Sequence, residues 1–219
     1  MYTCIDTIIS TVEEMGYKIN DPWDVVSTFE SMVADYAGSK YAVAVDSCTN
    51  ALFLCLKYLD AKGKITIPGR TYVSVPQTIV HAGCQVSFCD DEWTGTYKLN
   101  PFPIVDGATR FTKGMYETGT YHCLSFHIKK ILGIGKGGMI LTDDEQSVGW
   151  FKKARYEGRD ITKLYDDDMI STFGWNMYMP PEQAAYGIKR FLELEENNED
   201  CGGSWKYNDV RRYPIFEGA

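Results

Sequence analysis

Ser125-Phe-His-Ile-Lys-Lys-Ile-Leu-Gly-Ile-Gly-Lys-Gly-Gly138 is the stretch on which the reading of this chain turns. It follows the strand-like run Tyr121-His-Cys-Leu124 and precedes a second, Met139-Ile-Leu-Thr142. Two adjacent lysines and a histidine therefore sit on the crossover between two expected strands. In open α/β sheets such crossovers carry ligands and reactive side chains. A lysine partly shielded from water loses its proton more easily than a solvated one, which makes Lys129 and Lys130 candidates for Schiff-base chemistry. The competing reading is a solvated pair of charges. Gly133-Ile-Gly-Lys-Gly-Gly138 fits neither G-x-x-x-x-G-K-[ST] nor G-x-G-x-x-G, and it leads into a strand instead of joining strand to helix. Its glycines are expected to admit a close backbone approach beside the lysines.

Moving outward, the pattern alternates between strands and helices. Tyr41–Val45, Lys64–Pro68, Gln85–Cys89 and Pro103–Asp106 read as short strands. Helices are expected from Pro22 to Tyr36, from Thr49 to Tyr58 and from Thr71 to Ala82. Two more are expected after a capping box at Thr142-Asp-Asp-Glu145, reaching Tyr156, and from Pro181 to about Leu194. Asp21 suits an N-cap, Pro22 the first helical position, and Gly38 the stop. Ile5–Met15 forms a weaker helical pattern, and Asp90–Asn100 reads as a polar loop. The alternation implies an α/β fold with a mostly parallel sheet. Asp46-Ser-Cys-Thr49 is a strand-to-helix turn whose backbone N–H groups can receive an anion, or simply an ordinary N-cap. Asp106 ends a strand in front of Gly107, as a turn-forming aspartate also does.

The 219 residues, 44% hydrophobic and 14% aromatic, describe an ordinary globular core. A net charge of −8 argues against broad binding to nucleic acid or anionic membranes. The seven cysteines include no C-x-x-C pair and the three histidines show no ligand spacing, so neither a disulfide framework nor a metal site is expected. With no signal peptide or membrane span visible, a reducing, cytoplasmic setting is expected.

Together these segments resemble the DegT/DnrJ/StrS family of pyridoxal-phosphate (PLP) sugar aminotransferases, of the aspartate-aminotransferase fold (fold type I). Phe29–Leu52 is similar to the family's entry helix, first strand and phosphate turn, and Ile67–Gly83 to its second βα unit. Ser125–Lys130 resembles the Ser-Phe-His-x-x-Lys motif, and Arg155–Asp160 and Asn176–Gly187 follow in family order. The resemblance implies a three-layer fold type I large domain with a mostly parallel mixed sheet over residues 1–194. A tail over 195–219 would stand where the family has its small domain.

It further implies that Lys130 is the Schiff-base lysine and Asp106 the partner of the pyridine nitrogen. Tyr72 would stack on the ring, and Cys48, Thr49 and Ser125 would hold the phosphate. Thr109 stands where the family places Gln or His near the cofactor hydroxyl, and Tyr178 where Arg is common. Asn176 would serve the neighbouring subunit of a homodimer with shared active sites; His127 is expected to be structural. The substrates implied are an amino acid, expected to be glutamate, and a nucleotide-linked keto sugar. A non-catalytic PLP-binding dimeric subunit and a PLP-dependent sugar dehydratase are the alternatives, and Lys130 speaks against the latter, which carries histidine there. Between Asn100 and Pro103 the family has a further strand-and-helix segment that this chain lacks.

Overall fold

The computed structural model describes residues 9–10 and 12–218. The start of the Ile5–Met15 pattern lies outside the described residues; residues 12–14 are helical. Helix α1, Pro22–Ala37, begins as its sequence dictates. The Asp21 carboxylate accepts from Trp23 N, the Asp24 side chain reaches back to the cap, and Gly38 closes the helix at φ 83°. Strand β1 (Tyr41–Val45), helix α2 (Cys48–Tyr58), β2 (Lys64–Pro68), α3 (Ser74–His81) and β3 (Gln85–Cys89) follow. Then come β4 (Tyr97–Lys98), β5 (Ile104–Asp106), β6 (Tyr121–Ser125), β7 (Gly138–Thr142), α4 (Glu145–Ala154) and α5 (Pro181–Leu192).

The sheet is mixed. One part has the order β1-β7-β6-β5-β4 and the other pairs β2 with β3. Beyond β4, Thr66 N donates to Asn100 O at 2.8 Å and Asn100 N to Thr66 O at 3.1 Å, which joins the two parts. Following the pairings across, β1, β6, β5, β2 and β3 run in one sense, with β7 and β4 against them. The alternation of strands and helices correctly anticipates the majority direction. β7 runs against β6, to which it is joined by residues 126–137 without a helix between them.

Helices cover both faces, giving three layers. Along β1, Val43 and Val45 join the core under α2, α3 and α4, whereas Ala42 and Ala44 join the core under α1 and α5. β1 is an edge strand, and its outward polar groups are closed by a buried ion pair. Ala44 N donates to Glu30 Oε1 at 2.9 Å, Ala44 O accepts from Arg155 Nη1 at 2.6 Å, and Arg155 also pairs with Glu30.

Three sequence expectations change. Helix α3 starts at Ser74, leaving Tyr72 in the turn before it. Helix α4 is capped by Asp144, whose carboxylate accepts from Gln146 N and Ser147 N, and Thr142 ends β7 instead of capping the helix. Asp90–Asn100 is not all loop: Tyr97 and Lys98 pair antiparallel with β5, and the link back, residues 99–103, contains a cis Asn100–Pro101 bond. A local hairpin thus stands where the family resemblance places a further strand-and-helix segment, which the sequence already shows this chain to lack. The C-terminal residues also pack onto the body: Val210 N donates to Gly69 O at 2.9 Å, and Val210 and Phe216 are buried in the core. No described helix is long and apolar enough to cross a membrane.

Candidate functional site

The C-terminal ends of β1, β5 and β6 converge on a cavity of about 990 Å³. β5 and β6 contribute their last residues, Asp106 and Ser125, and the turn after β1 contributes Ser47. Lys130 lies in the turn after β6, fixed by Lys130 N donating to His127 O at 2.8 Å. It is half-buried, and its Nζ donates to Tyr207 Oη at 3.4 Å. Lys129 is exposed. His127 is exposed and borders the cavity, its Nδ1 accepting from Lys129 N.

Asp106 ends β5 and is 5% exposed. Its Oδ2 accepts from Tyr97 Oη at 2.7 Å and its Oδ1 from Ala108 N at 2.9 Å. Burial raises its pKa, and the bonds from Tyr97 and Ala108 and the charge of Lys130 pull the other way. Cys48 Sγ lies 3.9 Å from the same carboxylate, and burial together with that negative charge pushes its thiol well up, so it stays protonated.

The opposite wall is the N-terminus of α2. Ser47 caps it, its hydroxyl accepting from Asn50 N, which leaves the amides of Cys48 and Thr49 at the helix start facing the cavity without helical acceptors. Thr49 Oγ1 and Ser74 Oγ lie 2.9 Å apart, and Ser125 Oγ lines the same wall. Gly138 packs against this turn: a Cβ there would lie 2.5 Å from Cys48 N. The close approach expected of the glycine run is met here. Tyr72 stands at the rim, 59% exposed, its ring 6.4 Å from that of Tyr207. Thr109 lines the cavity but spends its hydroxyl on the carbonyls of Gly95 and Gly202, tying two loops together.

Every expected site residue except Asn176 therefore lines one cavity. Asn176 is exposed, bonds Glu157 Oε1 at 3.0 Å, and borders a separate pocket with Tyr178, Asp46 and Lys136. Lys136 lines both pockets. Sequence reasoning missed Tyr97, Ser74, Trp93, Lys206 and Tyr207. Tyr97 had a usable signal: Thr96-Tyr-Lys-Leu99 alternates polar and apolar as a strand does. Tyr207 had none, since it arrives from the far end of the chain.

Helix–sheet–helix layers with the site at strand ends, one lysine after a strand and one buried carboxylate before it, are the architecture of a fold type I transferase. The chain belongs to the DegT/DnrJ/EryC1/StrS aminotransferase family, whose sequence profile it matches over residues 9–118 and 107–207. It is 29% identical to the spore coat polysaccharide biosynthesis protein SpsC of Bacillus subtilis over 263 residues, covering 92% of this chain and 65% of that protein. It is 23% identical to the UDP-4-amino-4,6-dideoxy-N-acetyl-beta-L-altrosamine transaminase of Campylobacter jejuni over 244 residues, covering 89% and 63%. Among solved structures, NtdA of Bacillus subtilis with bound PMP superposes with a TM-score of 0.68 at 20% identity, covering 88% of this chain and 53% of that one. The chain thus spans less than two thirds of the length of these relatives. The first alignment is longer than the chain itself, so SpsC carries internal residues that this chain lacks.

Proposed function

We propose that this chain is a PLP-dependent aminotransferase that moves an amino group from an amino acid, glutamate, to a nucleotide-linked keto sugar. The observation that carries the proposal is Lys130 and the buried Asp106 lining one cavity with the α2 N-terminus. The residues fit the cofactor. Asp106 is a buried carboxylate whose pKa is raised by burial, so it gains from a cation, and a protonated pyridine nitrogen is one. The α2 amides with the hydroxyls of Thr49, Ser74 and Ser125 suit a phosphate. PLP, when bound, supplies the electron sink for amino-group transfer.

In that setting Lys130 holds the cofactor and later moves a proton at the substrate carbon through Nζ. Asp106 keeps a proton on the ring nitrogen. Thr49, Ser74, Ser125 and the Cys48 and Thr49 amides orient the phosphate end, and Tyr72 covers one face. Beyond Asp106 the charged lining is Lys129, Lys130, Lys136 and Lys206, which favours ligands carrying several negative charges although the chain as a whole is acidic. That balance supports a nucleotide-linked sugar. Residues 1–194 would be the PLP-binding large domain and 195–219 a tail completing the cavity wall. The described free thiols fit a cytoplasmic location. Asn176, exposed and outside the cavity, supports a homodimer in which it serves the partner's site.

Absorbance of the PLP-loaded protein tests the function. Glutamate should convert the bound cofactor to its aminated form, and a nucleotide-linked keto sugar should return it slowly or with narrow selectivity. Positioning by sugar contacts can be worth roughly 7–11 kcal/mol, and parts of the family framework that supply it are shortened here. An unchanged spectrum with every amino donor would overturn the proposal.

A further inference from the structure

Tyr97 is the buried group in the site that the reaction above leaves without a task. It is 8% exposed and sits directly opposite Asp106 in the β4–β5 pairing. Its ring lies 4.7 Å from that of Trp93, whose indole N–H donates to Arg70 O at 2.8 Å, so the phenol is braced from behind. The hydroxyl has two neighbours, Asp106 Oδ2 and Thr71 Oγ1. A phenol carries one proton. With that proton directed at an ionised carboxylate, Tyr97 must accept from the hydroxyl of Thr71, a residue 3% exposed. The order Thr71, Tyr97, Asp106 is thus a one-way relay of donors, and each donation strengthens the next.

We propose that Tyr97 is a positioning residue that acts through Asp106: its hydroxyl fixes the carboxylate's orientation and lowers its basicity, so that the proton shared with a ring nitrogen stays on the nitrogen. This rests on the reading of Asp106 as the partner of the pyridine nitrogen. The sign follows from which form the donor favours. A hydrogen bond to the charged carboxylate stabilises that form and offsets the penalty of burial. Without it Asp106 becomes the better base, the proton moves from nitrogen to carboxylate, and the ring withdraws electrons less well. Tyr97 stays a donor across the working range, because burial and the Asp106 charge hold its own proton firmly. The other groups facing Asp106 are Cys48 from α2, Cys123 from β6, Lys130 from the following turn and Tyr207 from the C-terminal segment. Of these Lys130 alone is a cation, and it acts on the carboxylate through its charge.

The test uses Tyr97→Phe, which keeps the ring against Trp93 and removes only the hydroxyl. In the cofactor-free protein, the protonation midpoint of Asp106, read from its labelled carboxyl signal, should rise by about one pH unit, a tenfold gain in proton affinity. Thr71→Val should raise it by less, and serves as the second variant if Tyr97→Phe does not fold. With ring-15N PLP bound, the nitrogen signal should move toward the unprotonated position, and the glutamate half-reaction should lose rate with its KM unchanged. Equal Asp106 midpoints in wild type, Tyr97→Phe and Thr71→Val would overturn the proposal while leaving the functional reading intact. A midpoint that moves in a chain capturing no PLP would instead overturn the functional reading, and the role of Tyr97 with it.

Discussion

Gly138 shows how a single missing atom shapes the site. The first residue of β7 lies against the Ser47–Cys48 peptide, and a Cβ would come within 2.6 Å of Ser47 O as well as 2.5 Å of Cys48 N. Those are backbone atoms in a capped turn and cannot give way as a flexible side chain can. Gly138→Ala should therefore push the α2 N-terminus out of line, with a cost on the order of 1–3 kcal/mol in stability, as overpacking has elsewhere. The affinity for PLP should fall more than that for a ligand without a phosphate, because the displaced amides are the donors proposed for the phosphate. Calorimetric melting and PLP titration read the two effects; a variant matching wild type in both would contradict this placement. The same residue explains why the glycine run is legible in the sequence while its purpose is not. Glycines mark a close approach, but the chain approached lies ninety residues upstream.

The elements that announce themselves are those with local signals. Asp21, Pro22 and Gly38 bracket α1 within one helix, and short apolar runs mark β1, β2, β3, β6 and β7. Where two local signals competed, the reading failed: Thr142 and Asp144 are both fit to cap α4, and β7 claims Thr142 because its pairing with Tyr41 completes the strand. β4 carries only the brief alternation of Thr96-Tyr-Lys-Leu99, which the acidic and glycine residues before it outweigh. The segment between α4 and α5 poses a different question. Leu164, Tyr165, Met169 and Phe173 are 76, 69, 87 and 95% exposed, a concentration of apolar surface unusual for a lone subunit. It leads directly to Asn176, which supports its burial in a two-fold contact. Sedimentation should give a dimer, and mixing an Asn176→Ala chain with a Lys130→Ala chain should restore part of the activity through mixed dimers. A PLP-saturated monomer would contradict this arrangement.

At the scale of the whole molecule, layers and strand direction follow from the alternation of strands and helices, and the site follows from where strands end. The roles of Lys130, Asp106, Thr49 and Ser125 are legible in the sequence through the family resemblance; the residue pattern alone offers a helix start at Thr49, a strand end at Asp106 and a lysine pair on the crossover after Ser125. The C-terminal wall is not legible in either way. Tyr207 reaches Lys130 only because its segment is pinned on both sides, by Ser204 N donating to Trp93 O and by Val210 N donating to Gly69 O. Nothing in the order of residues 195–219 encodes those distant anchors. The claim on which the rest depends is that PLP is captured by Lys130 in this cavity. Borohydride reduction of the PLP-loaded protein, followed by peptide mapping, tests it most directly. The label should fall on Lys130 alone, should vanish in Lys130→Ala, and should persist at lower occupancy in Asp106→Asn. A label on Lys129, or an undiminished label in Lys130→Ala, would contradict the account.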